Sequence, residues 1–552
     1  MRFRFFYKTT AVVIAITAVL WYTLVMQLNK NTIAYSTTKQ LKLPLDFEKI
    51  IDISDPVYSF CEVMDRIDLS IFFADKERKT GRPRCDLVKM LKIVLFSFME
   101  NGYLSLRGME KACRNDIRYM WILDGMRAPS FMTFDNFINK VLCDSIEEIF
   151  KAVNQVIFEH DGVDLSHAYI DGTKIEANAN KYSWVWKRSC ITNRQRVFEK
   201  LTELIGIINS EDLAFLGIRM ETREEYAIEY VELLLETYKK AMSIDEGTFV
   251  SGSGHRKTPQ QRRYQLLENY RDRLKGYAER IETCGEGRNS YSKTDTGATF
   301  MRVKRDYMGN DQLLPAYNMQ EVICDGYIAA IDAKQYASDQ ECFIPLMEKF
   351  KRFYGRYPKY PVADAGYGSY NNYIYCENNG MEKFMKFTMF DKEAKNPKYR
   401  DDPFRAVNFC RDETGNLICP QGKKFIYKYA QKIKGNHYGR TEEVFECEDC
   451  SSCPCKERCT KATGNRTIRI NRELSGYHQE VINNLQSIQG ALLCMNRSIQ
   501  AEGTYGSMKW NRSYKRAFRR GLNSVLLEFT LIAIGFNLYK FDNKKKQARR
   551  SA

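Results

Sequence analysis

A chain of 552 residues, 44% hydrophobic and 28% charged, is expected to fold as several domains with sizeable cores, which excludes a fibrous or wholly disordered protein. Its formal charge of +16 predicts an anionic partner, nucleic acid before any other. The excess is uneven: from Lys509 to the C-terminus twelve Lys/Arg face only Glu528 and Asp542.

The chain opens with Arg2, Arg4 and Lys8 ahead of an uncharged run, Thr9 to Leu28, long enough to span a bilayer. Met26 lies near the end of that run, and the sequence turns ordinarily polar after it. Residues 1–25 are therefore read as a mis-called start and the protein as cytoplasmic and nucleoid-associated, with a membrane anchor as the alternative. Residues 26–160 read as helical. Gly81-Arg82-Pro83 breaks the chain, and Asp86 caps a helix in which Leu87, Met90, Leu91, Val94 and Leu95 keep a helical period. After Leu104–Cys113, Pro129-Ser130 opens another helix through Phe134 and Phe137. Short helices dotted with Arg107, Lys111, Arg114 and Arg118 suit a helix-turn-helix-like DNA reader; a bundle with a solvated basic face is the plainer reading.

His167-Ala168-Tyr169-Ile170-Asp171-Gly172 reads as an apolar strand delivering a carboxylate to its end, and Tyr360-Pro361-Val362-Ala363-Asp364-Ala365-Gly366 repeats the design. Either Asp-Gly-type sequence alone is ordinary turn chemistry. Between them, residues 186–290 carry apolar stripes at Leu201, Leu204 and Ile208 and at Leu267, Tyr270, Leu274, Tyr277 and Ile281, a helical insertion. Ala316–Cys324 and Tyr327–Asp332 flank Asp325-Gly326, a hairpin signal. Ser338-Asp339-Gln340-Glu341 is a capping box for a helix bearing Phe343, Leu346, Met347 and Phe350. A strand ending at Asp364, a helix over 369–379 and a strand over 382–388 complete the order of a ribonuclease-H-like core, a mixed α/β (α+β) sheet. A third acid, Glu502, lies on a helical stretch seven residues before Lys509.

Of seventeen cysteines, seven crowd between Cys410 and Cys459. The odd total and large size predict a reducing compartment. Cys447-x2-Cys450-x2-Cys453 and Cys455-x3-Cys459 suit a closed tetrahedral thiolate site for a structural Zn²⁺; spacing does not decide which four bind, Cys447, Cys450, Cys453 and Cys459 being one candidate set, and reduced surface thiols in a loop are the plainer reading. Five histidines, none in a His-Glu-x2-His pattern, argue against a zinc hydrolase. The lack of a Gly-x4-Gly-Lys or Gly-x-Gly-x2-Gly motif argues against a nucleotide cofactor.

From about Met26 to Leu538 these residues resemble bacterial insertion-sequence transposases of the Asp-Asp-Glu type. Ile170-Asp171-Gly172-Thr173-Lys174 looks like the first catalytic block and Ala363-Asp364-Ala365-Gly366-Tyr367 like the second. In the family's Tyr-x2-Arg-x3-Glu-x6-Lys signature Glu502 and Lys509 match, while Met495 and Ser498 stand at the Tyr and Arg positions and Arg497 comes one residue early. The resemblance implies a catalytic domain over 161–185, 291–395 and 480–538, interrupted by the helical insertion and by a Cys-rich insertion over 396–479. A helical DNA-binding domain (26–160) would precede it and a basic tail (539–552) would follow. It implies Asp171, Asp364 and Glu502 as catalytic ligands of two Mg²⁺ ions, for which Mn²⁺ could substitute. Double-stranded DNA, as element ends and target, is the implied partner, and a homodimer or higher assembly the implied synaptic state. Lys509, Arg497, Arg512, Arg516, Arg519 and Arg520 are candidate DNA contacts near the metals, and Arg107 and Lys111 in the helical domain. An element-derived DNA-binding regulator without catalysis is the alternative.

Overall fold

The computed structural model describes residues 50–76, 85–250, 256–303, 311–433 and 438–551. The apolar run 9–28, the start at Met26 and the Gly81-Arg82-Pro83 break lie outside these residues. The chain divides at Asp55/Pro56; of the first unit residues 50–55 are described, closed by a turn in which Ser54 donates its backbone N–H to Asp52 (2.8 Å). Everything below concerns the second unit.

Its N-terminal part is helical, as the apolar periodicity predicts. Asp86 accepts from the amides of Val88 and Lys89 (2.9 and 3.1 Å) and starts α1 (Leu87–Asn101). Gly102 ends it at φ +69°, a left-handed conformation that suits glycine. Ser105 caps α2 (Leu106–Asn115) and Ser130 caps α3 (Phe131–Lys140). In α2 Met109 and Cys113 are buried while Arg107 and Lys111 are exposed. Arg118, by contrast, is held by Glu100 and Asp116 (2.5 and 2.8 Å).

Five strands make the central sheet: β1 (His167–Glu176), β2 (Leu313–Cys324), β3 (Tyr327–Lys334), β4 (Tyr360–Ala363) and β5 (Phe384–Met385). Their spatial order is β3-β2-β1-β4-β5, with Thr299–Arg302 added along β2. The pairs β3/β2 and β2/β1 are antiparallel; β1/β4 and β4/β5 are parallel. That is the ribonuclease-H-like order expected from the sequence. Asp325 (φ +48°) and Gly326 (φ +77°) make the tight turn between β2 and β3 that their dipeptide predicts.

The insertion between Trp184–Trp186 and Ser290–Ser292, which pair as short strands, contains α4 (Lys187–Ile207), α5 (Ile228–Ala241) and α6 (Pro259–Cys284). Leu201, Leu204 and Ile208 pack with Leu267, Tyr270 and Leu274 in a core of their own. The two apolar stripes of the expected helical insertion therefore face each other in a self-packed helical body that α5 completes.

Two helices flank β4: α7 (Phe343–Tyr354) and α8 (Tyr370–Asn378). The Cys-rich stretch has a three-stranded sheet of β6 (Phe425–Lys432), β7 (Thr441–Cys447) and β8 (Thr467–Ile470), after which α9 (Arg472–Gln486) returns to the core. In α9, His478 stacks on Phe387 at 3.9 Å, and burial, aided by Arg440, pushes its imidazole down to about 4. The unfolded chain binds this proton near 6.5, so His478 leaves stability intact above that pH and lowers it as pH falls towards 4. Solvent screening of this partly exposed ring reduces the loss to about 1 kcal/mol. Urea melts at pH 7.5 and 5 should show that loss in the parent and a smaller one in His478→Phe.

A 30-residue helix closes the fold, α10 counted after α9 (Leu522–Ser551), packing on α1, on β3 and on the helix Ile146–Asp161. It is apolar and long enough to cross a membrane, yet 72% of its apolar window is buried within the protein, as in a core helix. Asn537 exchanges hydrogen bonds with the backbone of Ile328 in β3 (2.9 and 2.8 Å). At Gly535 a Cβ would lie 2.6 Å from the Phe98 carbonyl carbon, so α1 and α10 touch backbone to backbone. The basic tail expected over 539–552 is corrected here: through Ser551 it is the end of this helix. Lys544 and Lys546 pair with Asp161 and Asp542 (3.2 and 2.7 Å), and Lys545 with Glu62.

Candidate active site

The parallel register pairs Tyr169 with Val362, and each chain places an aspartate two residues further on, Asp171 and Asp364. Side chains alternate along a strand, so the two carboxylates leave the sheet on one face at one end. Asp171 is not at a strand end, as expected, because β1 runs on to Glu176 against β2. Only its pairing with β4 stops before Asp171, and that gap opens the site. Gly172 is needed there: a Cβ would lie 2.3 Å from Gln320 Nε2 and 3.0 Å from the Tyr367 hydroxyl.

Burial pushes Asp171 up to about 6; Arg497 and the Gly172 amide oppose this, while Asp364 and Asp339 add to it. The Arg497 guanidinium stands 3.6 Å from its Oδ2. Asp364 accepts from the Gly366 amide (2.8 Å), and a Cβ on Gly366 would lie 2.9 Å from Asp364 Oδ1 and 3.4 Å from Asp339 Oδ2. Asp339 therefore faces the same space. The capping-box reading missed it: its carboxylate accepts from Lys174 Nζ (3.0 Å), Asn318 (2.6 Å) and Gln320 (3.0 Å). The Tyr367 hydroxyl in turn donates to Gln320.

A second acid was missed across the strand pair. Glu321 lies directly opposite Asp171, fully buried, with neither carboxylate oxygen hydrogen-bonded. Burial and Asp171 hold its acid well above the usual carboxylate range, against the pull of Lys509. An apolar-looking strand gives no sequence signal for such a residue.

Glu502 is placed differently from the two aspartates. The helix Ile488–Arg497 continues through two wide turns, Ser498–Glu502 and Ser507–Asn511, in the π conformation often found at functional sites. Glu502 is exposed there. Among the described residues no three His, Cys, Asp or Glu side chains are gathered closely enough to hold a metal ion, so the triad is not assembled. The same helix nonetheless docks on β1: the buried Tyr505 donates to the Asp171 carbonyl (2.8 Å), and Lys509 donates to Thr173 and to the Lys174 carbonyl (3.3 Å). The spacing Tyr505-x3-Lys509, one helix face, was the available signal for Tyr505.

The remaining cations divide. Arg512 donates to the carbonyls of Phe98 and Met99 at the end of α1 (2.9 and 2.6 Å) and lies over Tyr539, so its guanidinium belongs to the fold. Arg516 and Arg520 reach the carbonyls of Ala177 and Asn178 (3.2 and 2.7 Å) yet stay exposed, and Arg519 bonds Asn139.

Such a sheet, with two aspartates at one edge, defines a ribonuclease-H-like protein. Residues 418–541 match the family described as Transposase DDE domain, and residues 45–140 match Transposase domain (DUF772). Neither the curated proteins nor the solved structures compared yield a match. The two family matches, one at each end of the chain, support an insertion-sequence transposase of the Asp-Asp-Glu type. The first match spans Glu502 and Lys509; Asp171 and Asp364 lie outside both and rest on the sheet.

Proposed function

We propose that the protein binds the ends of its own element and carries out divalent-metal-dependent cleavage and strand transfer, with Asp171, Asp364 and Glu502 as its acids. The observation that carries this reading is the equivalent placement of Asp171 and Asp364, two residues beyond the last paired positions of adjacent parallel strands.

The two aspartates fit a hard cation. Mg²⁺ is commonly held by one or two carboxylates together with water and phosphate oxygens, and a cation there would offset the burial that pushes Asp171 up and the smaller push from Asp364 and Asp339. Bound there, Mg²⁺ would activate a water or 3′-hydroxyl and offset charge on the phosphate. The chain's own groups do the rest. Tyr505 and Lys509 fasten the Glu502 helix to the strand that bears Asp171. Arg497, beside Asp171, is placed to meet a phosphate as it enters. Glu502 would join the aspartates only after its helix shifts or DNA arrives, which makes the third acid the part of the reading most exposed to test. Arg107 and Lys111, on the open face of α2, would contact end DNA, and two or more copies would pair the ends.

The deciding experiment incubates protein with DNA from its flanking repeats, with and without Mg²⁺ or Mn²⁺. Metal-dependent nicking at the 3′ ends is expected. Tight end-binding without nicking under any metal would favour the regulator instead.

A further inference from the structure

The Cys-rich stretch has little to hold it together. Its core is Phe409, Leu417, Phe425, Ile468 and two cysteines, and β6 is exposed along nearly its whole length. Modules this short on apolar burial are generally fastened by disulfides or a metal.

Six thiols, Cys419, Cys447, Cys450, Cys453, Cys455 and Cys459, line one cavity of about 20 Å³. This is room for about one water-sized particle, too little for an organic ligand. Cys419 and Cys455 are new to the set: the first comes from the Cys419-Pro-Gln-Gly turn before β6, far from the others in sequence. Four of the sulfurs already accept N–H donors: Cys419 from the Lys423 amide (3.3 Å), Cys450 from the Arg466 amide (3.5 Å), Cys459 from the Arg466 guanidinium (2.9 Å) and Cys455 from Gln421 (3.6 Å). Such donors are the outer partners that orient metal-ligating groups. Cys410, the seventh cysteine, is exposed and not part of the cavity wall.

We propose that this cavity binds one structural Zn²⁺, with Cys419, Cys447 and Cys450 as three of its thiolates and the fourth drawn from the 453–459 turn. Six sulfurs against one carboxylate, that of Asp449, in the cavity wall select a borderline-soft cation over Mg²⁺. The thiols surround the space without yet meeting at ligand distance, so binding draws the turn at 453–459 inward. Four thiols that bind as thiolates release four protons to solvent, and no oxidant is involved. The expected role is to fasten the module, since a tetrathiolate leaves no open position for substrate.

The test uses the full-length protein purified without chelator. Elemental analysis should find about one zinc per chain. Stripped protein titrated with Co²⁺ should develop a thiolate-to-cobalt charge-transfer band that Zn²⁺ abolishes. Cys419→Ser and Cys450→Ser should lose the metal, and Cys410→Ser should keep it. Should the serine variants fail to fold, the cobalt titration of the parent protein still decides. No zinc and no cobalt band would overturn the proposal, as would disulfides among these six cysteines or full zinc in Cys419→Ser.

Discussion

Asp171→Asn and Asp364→Asn should each lower DNA cleavage by on the order of a thousandfold or more while leaving end-binding within a few-fold of the parent. Losing a group that organises charge at the reacting phosphate costs about 4 kcal/mol of transition-state stabilisation, which is that factor. Binding survives because removing a carboxylate beside DNA subtracts repulsion and disturbs no base or phosphate contact. Asparagine keeps the shape, so Gly172, Tyr367 and the strand pairing are undisturbed. Glu502→Gln is expected to match them, and here the measurement separates two outcomes. Equal loss means that the helix over 488–511 brings Glu502 to the aspartates during the reaction. Retained cleavage in Glu502→Gln, with both aspartate variants dead, would move the third role elsewhere, and Asp339, which already faces Asp364, is the first candidate. Retained cleavage in Asp171→Asn or Asp364→Asn would refute the assignment outright.

The elements legible in the sequence were those governed by local rules. Asp86 and Ser130 are sequence signals for helix starts and act as such. Asp325-Gly326 is a turn in any context. The strand order followed from element order, because antiparallel neighbours with a tight turn and parallel ones with a crossover helix leave few arrangements. What was illegible depends on residues distant in sequence. Asp339 lies in a motif whose local meaning, a helix start, is sufficient by itself, and only the folded sheet shows its carboxylate against Lys174 and Gln320. Glu321 breaks an otherwise apolar alternation, and nothing nearby announces that it will be buried opposite Asp171. Cys419 joins a cavity with cysteines almost thirty residues on. The end of the chain misled for a related reason: its lysines look solvated in sequence, but their partners Glu62 and Asp161 come from the N-terminal half.

Arg512→Ala should destabilise the protein by about 3–5 kcal/mol, whereas Arg516→Ala with Arg520→Ala should weaken DNA binding and leave stability almost unchanged. The six cations between Lys509 and Arg520 look alike in sequence, and the structure separates them. Arg512 donates to the Met99 carbonyl and adds a second donor to the Phe98 carbonyl, which already accepts from the Gly102 amide (3.0 Å); it also packs on Tyr539 and lies against Gly102, where a Cβ would meet its own Cβ at 2.7 Å. Removing it takes the donor from the Met99 carbonyl and one of two donors from the Phe98 carbonyl in a half-buried place, and opens a gap between α1 and α10; each hydrogen bond from a charged group contributes about 1.5–3 kcal/mol. At the surface, beside the loop that follows β1, Arg520 reaches the Asn178 carbonyl, while Arg516 reaches the carbonyls of Ala177 and Ala179 and stands 3.8 Å from Glu176; both stay exposed. Each phosphate they neutralise adds roughly −0.9 to the slope of log K against log salt, so the double variant should flatten that slope by up to about two units for all sequences alike. Urea titrations and salt-dependent binding on the same preparations read both quantities. An unchanged slope in the double variant would make these arginines fasteners of the 176–179 loop, like Arg512 at α1. An unchanged melt in Arg512→Ala would mean that solvent can satisfy the end of α1 without it.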